Sequence, residues 1–360
     1  MTKRFRFVFA FLLMLCCLTA LLPANAESKI FSVAEQMYPI ETDIANNIEQ
    51  LYPIVTQTSL TLYSPQQINI PLDRPGYLTN NGQIIILNDK NLGASDNPIE
   101  IQPLVPDTLP VLADGIIPPI DGRYPVGDSN TSFPYSAVVR YEKTWSDTNV
   151  RDWCSGSMIS PSTVLTAAHC LYDAKVHATT PSAVDIVAFP GMDSSSSNPI
   201  PFGGCSALQT LVPIEWALNG QPKEYDHGFI RLDCTVGYES GVFGFRTYPD
   251  SDFTTFLVGY PDDKHEDGKE MWYGLGTLLH SDPLFSYYSN DTVGGNSGSP
   301  VWQHAYTSCP DCIVAIHTNY FPEIPENGGS RVAGGFYNFL LDEKEYFTQQ
   351  VFLPYLIKNE

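Results

Sequence analysis

The sequence predicts an all-β fold, either a sandwich or a barrel, for the C-terminal two-thirds of this 360-residue chain. From about Tyr135 onward, short runs of aliphatic, β-branched and aromatic residues recur, with Gly, Pro, Asn and Asp between them. Many short strands separated by turn residues are typical of sandwiches and barrels. The clearest runs cover residues 137–139, 164–165, 186–189, 229–232, 256–258 and 313–316.

The N-terminus has the three parts of a secretory signal peptide. Lys3, Arg4 and Arg6 precede an apolar stretch from Phe7 to Leu22, and small residues lead to Ala26. This order predicts export with cleavage after Ala26. A membrane anchor is the alternative, but the sixteen residues of the apolar stretch fall short of the roughly 20 that span a bilayer. We therefore expect a secreted, extracellular protein with a signal peptide at residues 1–26.

Six of the eight cysteines remain after export, an even number suited to disulfides in an oxidising compartment. A bridge between Cys154 and Cys170 would close a hairpin-sized loop. Cys309 and Cys312 could instead belong to a redox or zinc site, but the chain has no second such pair to complete four metal ligands. The three expected disulfides are Cys154–Cys170, Cys309–Cys312 and, as the remaining pair, Cys205–Cys234.

Residues 27 to about 115 differ in composition from the rest of the chain. They contain no cysteine, are rich in Pro, Asn and Asp, and have only short apolar runs such as residues 84–87. We interpret this region as a propeptide ahead of a disulfide-bridged domain at residues 116–360. A flexible extension or a small accessory domain is the alternative.

The formal net charge of −21 excludes some partners. Nucleic acid and anionic membrane surfaces repel an acidic protein, so we expect neither as a partner. Screening over about 8 to 10 Å at physiological salt leaves the recognition of a substrate to local groups. Net charge therefore does not determine which substrate the protein takes.

The segment 294–300, Gly-Gly-Asn-Ser-Gly-Ser-Pro, carries the strongest signal for chemistry. Glycines on both sides of Ser297 allow a tight turn that exposes the hydroxyl and points neighbouring amides at one position. A nucleophilic serine needs a base to take its proton and an acid to orient that base. The α/β-hydrolase pattern Gly-x-Ser-x-Gly is excluded because Ser299 stands where its last glycine should be.

Upstream segments supply a base and an acid. His169 lies in Thr-Ala-Ala-His-Cys, where small residues permit tight packing and the following cysteine can tether the ring. Asp226 precedes the strand-like run 229–232, and Asp185 and Asp233 are competing carboxylates. Asp185 is close to the histidine in sequence, whereas Asp233 follows the strand instead of preceding it. A lone histidine is more often structural, so the prediction depends on the three residues together.

These residues resemble the chymotrypsin-like proteases and, within them, the bacterial glutamyl endopeptidases. The order His169, Asp226, Ser297 fits that family, as do the sequences directly around them. The resemblance extends from about residue 121 to about residue 340. Further similarity lies in the segments 155–159, 259–261 and 315–319.

The resemblance implies a specific architecture for the protease-like domain. We expect two packed antiparallel β-barrels, the first carrying His169 and Asp226 and the second Ser297, with the active site in the cleft between them. Apolar residues among polar ones predict a closing C-terminal helix from about Asn338 to Phe352. The protein is expected to be a monomer that acts on protein or peptide substrates, without a cofactor or a metal.

The implied activity is that of a serine endopeptidase. His169 takes the proton of Ser297 as the hydroxyl attacks a peptide carbonyl, Asp226 holds the imidazole, and the amides of Gly295 and Ser297 cradle the oxyanion. In trypsin-like enzymes an aspartate before the serine pairs with a newly cut N-terminus. Asn296 cannot supply that charge, so we expect activation without that ion pair. Similarity to the family's mature start places the cut near residues 114–116.

The predicted specificity comes from the same resemblance. Glutamyl endopeptidases use a histidine and a hydroxyl residue in the first pocket, and His317 and Thr292 match them. Thr318 and Tyr320 lie in the segment that should pair with the substrate backbone and line this pocket. Hydrogen bonds from His317 and Thr292 to a carboxylate predict cleavage after Glu and less often Asp.

Two alternatives remain. Tyr320 stands where many relatives have glycine and could close part of the pocket, so an active protease of another specificity is one of them. The other is a catalytically silent protease-like binding protein. Such proteins usually lose a triad residue, and this chain keeps all three.

Overall fold

The computed structural model describes residues 62–63, 76–86, 115–117, 120–248, 253–265, 267–303, 309, 311–321, 324–341 and 343. Within these residues, seventeen strands form two sheets, and each sheet closes into a barrel. The predicted all-β fold of two antiparallel barrels is confirmed. The predicted signal peptide lies outside the described residues.

Six antiparallel strands make the first barrel, with strands numbered along the chain. They follow the order β9-β10-β7-β6-β5-β8, and pairing of β8 with β9 closes the ring. Their bounds are β5 Val138–Trp145, β6 Val150–Ser160, β7 Thr163–Thr166, β8 Ala183–Pro190, β9 Cys205–Pro213 and β10 Gly228–Leu232.

Three short strands from the predicted propeptide join the sheet of the first barrel. They are β1 Leu62–Tyr63, β2 Gly76–Thr79 and β3 Ile84–Ile86, in the order β1-β3-β2, and β2 pairs with β9. A tight turn links β2 to β3, where the Thr79 N–H donates to the Gln83 carbonyl at 2.9 Å. These strands belong to the same compact unit as both barrels.

The second barrel also has six antiparallel strands. They follow the order β16-β15-β12-β13-β14-β17, and pairing of β16 with β17 closes the ring. The short strands β4 (Arg123–Pro125) and β11 (Gly244–Phe245) pair with β13 and β16 from outside the ring. The barrel strands are β12 Thr254–Gly259, β13 Trp272–Ser281, β14 Phe285–Tyr288, β15 Pro300–Gln303, β16 Cys312–Phe321 and β17 Glu326–Arg331.

The larger of two hydrophobic clusters joins the two barrels, because β15 and β16 are buried on both faces. Val301 and Val314 pack inside the second barrel. Trp302 and Ile316 instead join the larger cluster, which contains Val138 and other side chains of the first barrel. Strands buried on both faces are apolar runs without polar alternation, as in the sequence of residues 313–316.

Helices are few among the described residues. Besides 3₁₀ turns, they are α1 (Ile214–Leu218), α2 (Gly237–Ser240) and α3, which covers residues 334–341. The predicted closing helix thus begins four residues before Asn338, while its predicted end lies outside the described residues. Phe336 and Phe339 of α3 pack into the core of the first barrel. No helix in the described ranges is both long and apolar enough to cross a membrane.

Three disulfides join the cysteines in the expected pairs. Cys154 on β6 is bonded to Cys170, and their Cα atoms are 6.4 Å apart. Cys205 on β9 is bonded to Cys234 just after β10. Cys309 is bonded to Cys312 at the start of β16. The first of these bridges lies directly beside His169.

Candidate active site

Two elements of the first barrel bring His169 and Asp226 together. The chain leaves β7 at Thr166 and enters a 3₁₀ turn, Ala168–Cys170, that carries His169. Asp226 follows another 3₁₀ turn and lies two residues before the start of β10. Since β10 pairs antiparallel with β7 and places Gly228 opposite Thr166, the start of one strand lies beside the end of the other. This register places the two side chains next to each other.

The Asp226 carboxylate binds His169 through both of its oxygens. Oδ1 accepts the backbone N–H of His169 at 2.8 Å, and Oδ2 lies 2.7 Å from Nδ1 of the ring. The Asp226 side chain is 3% exposed, whereas the His169 side chain is 29% exposed. Burial opposes the charged form of His169 and so lowers the pKa of its imidazole. The charge and the hydrogen bond of the Asp226 carboxylate together outweigh this effect and raise the pKa above its ordinary value.

Ser297 lies in a tight loop between β14 and β15 of the second barrel. The Ser299 N–H donates to the Asn296 carbonyl at 2.9 Å, which closes the turn around the serine. Gly295 and Gly298 flank it with φ angles of 83° and 86°. A Cβ atom on Gly298 would lie 2.1 Å from the Ser155 carbonyl oxygen. Only glycine therefore fits these two positions without displacing the loop.

Contacts from the first barrel hold this loop against His169. The backbone N–H of Ser155 on β6 donates to the Ser297 carbonyl at 2.9 Å, and the Ser155 hydroxyl donates to the Gly295 carbonyl at 2.8 Å. Sγ of Cys170 lies 4.0 Å from the Ser297 carbonyl oxygen. The residue that follows His169 thus contacts the backbone of Ser297, so the segments that carry the predicted base and the predicted nucleophile lie side by side.

The amides predicted for the oxyanion hole are those of Gly295 and Ser297. Within the described ranges, neither N–H donates to another group of the protein. Both residues are partly exposed. Free, oriented backbone N–H groups beside a nucleophile are what a developing oxyanion requires.

His317 is buried on β16, only 4% exposed. Its Nδ1 lies 2.8 Å from the hydroxyl of Tyr288 on β14. Burial, together with the charge of His169, lowers the pKa of His317 to about 3. Burial also raises the pKa of Tyr288 well above its ordinary value, so both groups are neutral at neutral pH and are joined by a hydrogen bond.

Tyr288 was not among the predicted site residues. It is the second of two adjacent tyrosines, and nothing in the sequence distinguishes it from Tyr287. Their positions on β14 distinguish the two tyrosines, because neighbouring residues of a strand face opposite sides of the sheet. Tyr288 contacts His317, whereas the hydroxyl of Tyr287 bonds Lys223 and Asp282.

The other predicted pocket residues lie in the same part of the second barrel. Thr292 is buried in the loop after β14, and Thr318 is buried on β16. The Thr318 hydroxyl donates to the side-chain oxygen of Asn319 at 2.8 Å. Tyr320 is only partly buried near the end of β16, so its ring lies at the rim of this region.

The segment at residues 115–117, next to the predicted maturation cut, contacts the loop that carries Thr292. The Thr292 N–H donates to the Gly115 carbonyl at 3.0 Å, and the Asn327 side chain donates to the same oxygen at 2.7 Å. Asp291 accepts the N–H of Ile117 at 2.6 Å. Asp291 is thus a carboxylate that contacts the segment beside the predicted cut.

Comparison with known proteins finds similarity to proteases. The family model described as Trypsin matches residues 126–189, which include His169. The chain is similar to a solved structure titled "Structure of Glu endopeptidase in complex with MPD", with 26% identity and a TM-score of 0.55. The similarity covers 64% of this chain and 100% of that chain.

Two curated bacterial proteins are each 32% identical to the chain. The "Extracellular metalloprotease" of Bacillus subtilis aligns over 213 residues, 58% of this chain and 64% of that protein. The "Glutamyl endopeptidase" of Bacillus licheniformis aligns over 197 residues, 53% of this chain and 57% of that protein. The alignments thus span less than two-thirds of the length of either relative.

One of these relatives is called a metalloprotease, which raises the question of whether side chains of this chain could bind a metal ion. Two groups of side chains in the described ranges are close enough to share an ion, one around His169 and one around Asp233. In each group the other two members are cysteines joined to each other by a disulfide, so they offer no thiolate. A single remaining ligand does not fit a metal site.

Proposed function

We propose that this chain, which contains a chymotrypsin-like domain of the trypsin family, is a serine endopeptidase with the triad His169, Asp226 and Ser297. The observation that carries the proposal is the two-point contact of the buried Asp226 carboxylate with His169, at 2.7 and 2.8 Å. A buried acid that orients a partly exposed imidazole is the arrangement a general base needs.

The proposed reaction forms and breaks one acyl-enzyme. Ser297 Oγ attacks the peptide carbonyl carbon, its proton passes to Nε2 of His169, and the carbonyl oxygen becomes an oxyanion held by the two loop amides. The C–N bond breaks as His169 returns the proton to the leaving amine. Water then repeats the sequence on the ester, with His169 as base and Ser297 as leaving group. Asp226 stabilises the charged imidazole in both halves.

We also propose a preference for Glu, and less often Asp, on the amino-terminal side of the cleaved bond. His317 is neutral in the free protein, and a substrate carboxylate beside it would favour proton uptake. The imidazole would then recognise the carboxylate as a charge-assisted donor, with the Thr292 hydroxyl as a second donor. The similarity to two Glu-specific proteins supports this choice.

Export and maturation form the third part of the proposal. The protein would be secreted through residues 1–26 and cut near residues 114–116, where the propeptide at 27–115 ends. The "extracellular" name of the Bacillus subtilis relative supports export. Because Gly115 contacts Thr292, the cut would change the wall of the first pocket. The matured protein would contain a single copy of the domain at residues 116–360 and act on proteins or peptides.

The proposal is tested by mass spectrometry of a denatured protein mixture digested by the matured protein. Three samples are compared: the unchanged protein, Ser297→Ala, and Ser206→Ala, which changes an exposed serine on β9. We expect cuts mainly after Glu with the unchanged protein and Ser206→Ala, and none with Ser297→Ala. Ser297-dependent cuts after other residues would refute the Glu preference. No cutting by a folded, matured sample would refute the protease and favour a binding protein.

A further inference from the structure

One edge of β9 is covered only in part by the strands of the first barrel. On that side β8 pairs with Cys205 and Ser206, and β2 pairs further along, with Leu211, Val212 and Pro213. On the opposite side β10 pairs with β9 up to Leu211. Strand β2 therefore continues the sheet where β8 leaves it, and without β2 this part of β9 would be an open edge.

The turn after β2 adds polar contacts to the strand pairing. The Asn80 N–H donates to the Thr210 carbonyl at 3.1 Å, and the Thr210 N–H donates to the Asn80 side-chain oxygen at 3.3 Å. Residues 77–80 thus pair or hydrogen-bond with four consecutive residues of the barrel strand, from Thr210 to Pro213. Gly76 packs so closely on Ile214 that a Cβ atom there would lie 2.6 Å from it.

Side chains of β2 and β3 are part of the hydrophobic core of the first barrel. Tyr77, Ile84 and Ile85 are 3%, 1% and 3% exposed, and Tyr77 and Ile85 belong to the main core cluster. The Tyr77 ring stacks on Phe339 of α3, with ring centres 3.6 Å apart, and packs edge-on against Phe229 of β10 at 5.7 Å. Release of β2 and β3 would expose the Tyr77 ring, and the faces of Phe339 and Phe229 that it covers, to water.

Tyr77 also satisfies a buried group next to the catalytic acid. Its hydroxyl lies 3.0 Å from Nε2 of His227, the residue that follows Asp226. His227 stacks on Phe336 with ring centres 3.8 Å apart, and burial lowers its pKa to about 3. In the part of the chain that the structure describes, Nδ1 of His227 has no partner. The Tyr77 hydroxyl is therefore its ring's hydrogen-bond partner, and its loss would leave a buried imidazole unsatisfied.

We propose that residues 76–86 stay on the first barrel after the maturation cut, so that the mature protein is a non-covalent complex of two chains. The segment then serves as a permanent edge strand of the barrel and a support for the chain around Asp226. The inference depends on the proposed function only for the position of the cut.

The test uses the exported chain with Ser297→Ala and with residues 104–109 replaced by the recognition sequence of a site-specific protease. After the outside protease has cut the protein, native size-exclusion chromatography and intact mass spectrometry follow the two fragments. We expect them to co-elute in buffer and to separate only in denaturant. Elution of the N-terminal fragment by itself, while the large fragment keeps its native circular dichroism, would overturn the inference. Because no activity of the protein is used, failure of the proposed function would leave this result unchanged.

A peptide exchange experiment tests the role of Tyr77. A labelled peptide of residues 74–88 is bound to the large fragment from the first experiment, after the natural segment has been removed in mild denaturant. Competing peptides carry Tyr77→Ala or, as the control, Asn81→Ala in the exposed turn. We expect the Tyr77→Ala peptide to compete about tenfold or more weakly than the unchanged one, and the control to match it. Equal competition by both variants would contradict the assigned contact.

Discussion

At the residue scale, His169 has one ring nitrogen committed to Asp226. Because Nδ1 lies 2.7 Å from the carboxylate, Nε2 is the nitrogen left to take the proton of Ser297 in the proposed reaction. An asparagine at position 226 would keep the size of the side chain but would favour the wrong tautomer. We expect Asp226→Asn to lower kcat by roughly a thousandfold to ten-thousandfold, measured with a short peptide substrate.

The control for this variant is Asp185→Asn. Asp185 was a competing acid in the sequence and is exposed on β8. Replacing its carboxylate by the side-chain amide of asparagine should therefore leave kcat unchanged. A large loss with Asp185→Asn and none with Asp226→Asn would contradict the assignment of the acid.

The raised pKa of His169 predicts a pH dependence. Burial disfavours the charged ring, but the Asp226 carboxylate raises its pKa above the ordinary value, which is about 6.5. The base must be neutral to act, so kcat/KM should rise with pH through this pKa, with a midpoint above about 6.5. Asp226→Asn removes the negative charge and should move the midpoint to lower pH. Profiles of kcat/KM against pH measure both midpoints, and a midpoint unaffected by the variant would contradict this origin.

Tyr288 is predicted to act through His317 as a positioning residue. Its hydroxyl is 2.8 Å from Nδ1 of a buried ring, and Tyr288→Phe would leave that nitrogen unsatisfied. We expect the ratio of kcat/KM for Glu over Gln substrates to fall by about tenfold, with little change for Gln substrates. Tyr287→Phe removes the neighbouring hydroxyl, which bonds Lys223 and Asp282, and should leave the ratio unchanged. Equal effects of the two variants would refute a specific role for Tyr288.

At the element scale, the Cys154–Cys170 bridge links β6 to the turn that carries His169. It closes a loop of 16 residues, whereas Cys309–Cys312 closes one of 3. Loop-closure entropy predicts that replacing the first pair by alanine lowers the free energy of unfolding by about 3 kcal/mol, and the second by roughly half as much. Denaturant unfolding in the Ser297→Ala background measures both. A greater loss for the shorter loop would contradict the entropic explanation.

The strands that the sequence predicts differ in amino-acid composition from a strand that it does not predict. The six predicted runs fall on β5, β7, β8, β10, β12 and β16, where the side chains are largely buried and apolar, although the first run starts one residue before β5. Strand β17, Glu326–Arg331, has the sequence ENGGSR and no apolar alternation. It is a strand because the barrel closes there, and a Cβ atom on Gly329 would lie 1.8 Å from the Ile316 carbonyl oxygen. Close backbone approach of this kind leaves no hydrophobic pattern to detect.

At the scale of the whole molecule, catalysis needs the two barrels to keep a fixed relation. Ser155 on the first barrel accepts the Tyr260 N–H at 2.9 Å and donates to Gly295 at 2.8 Å, both on the second. We expect Ser155→Ala to lower the free energy of unfolding by about 1–3 kcal/mol and to lower kcat as well, because the contact with Gly295 holds the loop that carries the proposed oxyanion amides. Unfolding curves and steady-state kinetics provide the two readouts.

Ser157→Ala is the matched control for this prediction. Ser157 is buried two residues further along β6, and its hydroxyl has no hydrogen-bond partner among the described residues. Its removal should change stability and kcat little. A loss equal to that of Ser155→Ala would show that burial of any β6 serine, and not the inter-barrel contact, is responsible.

Contacts between distant segments set the limit of prediction from sequence. His169, Asp226 and Ser297 were predicted because each lies in a short segment whose local composition reflects its turn. The contact of Gly115 with Thr292 and that of Tyr77 with His227 join residues 177 and 150 positions apart. Neither partner has a local pattern that points to the other, and the composition of residues 27–115 gave no indication that β2 completes the edge of a barrel.

The most direct test of the central claim is covalent labelling of the nucleophile. The matured protein is treated with a fluorophosphonate, whose phosphorus Ser297 Oγ should attack with loss of fluoride while the proton passes to His169. Peptide mass spectrometry is then used to locate the adduct. A single adduct on Ser297 that disappears in His169→Ala but persists in Ser206→Ala is the predicted result. No adduct on the folded protein, or one on another residue, would contradict the proposed triad.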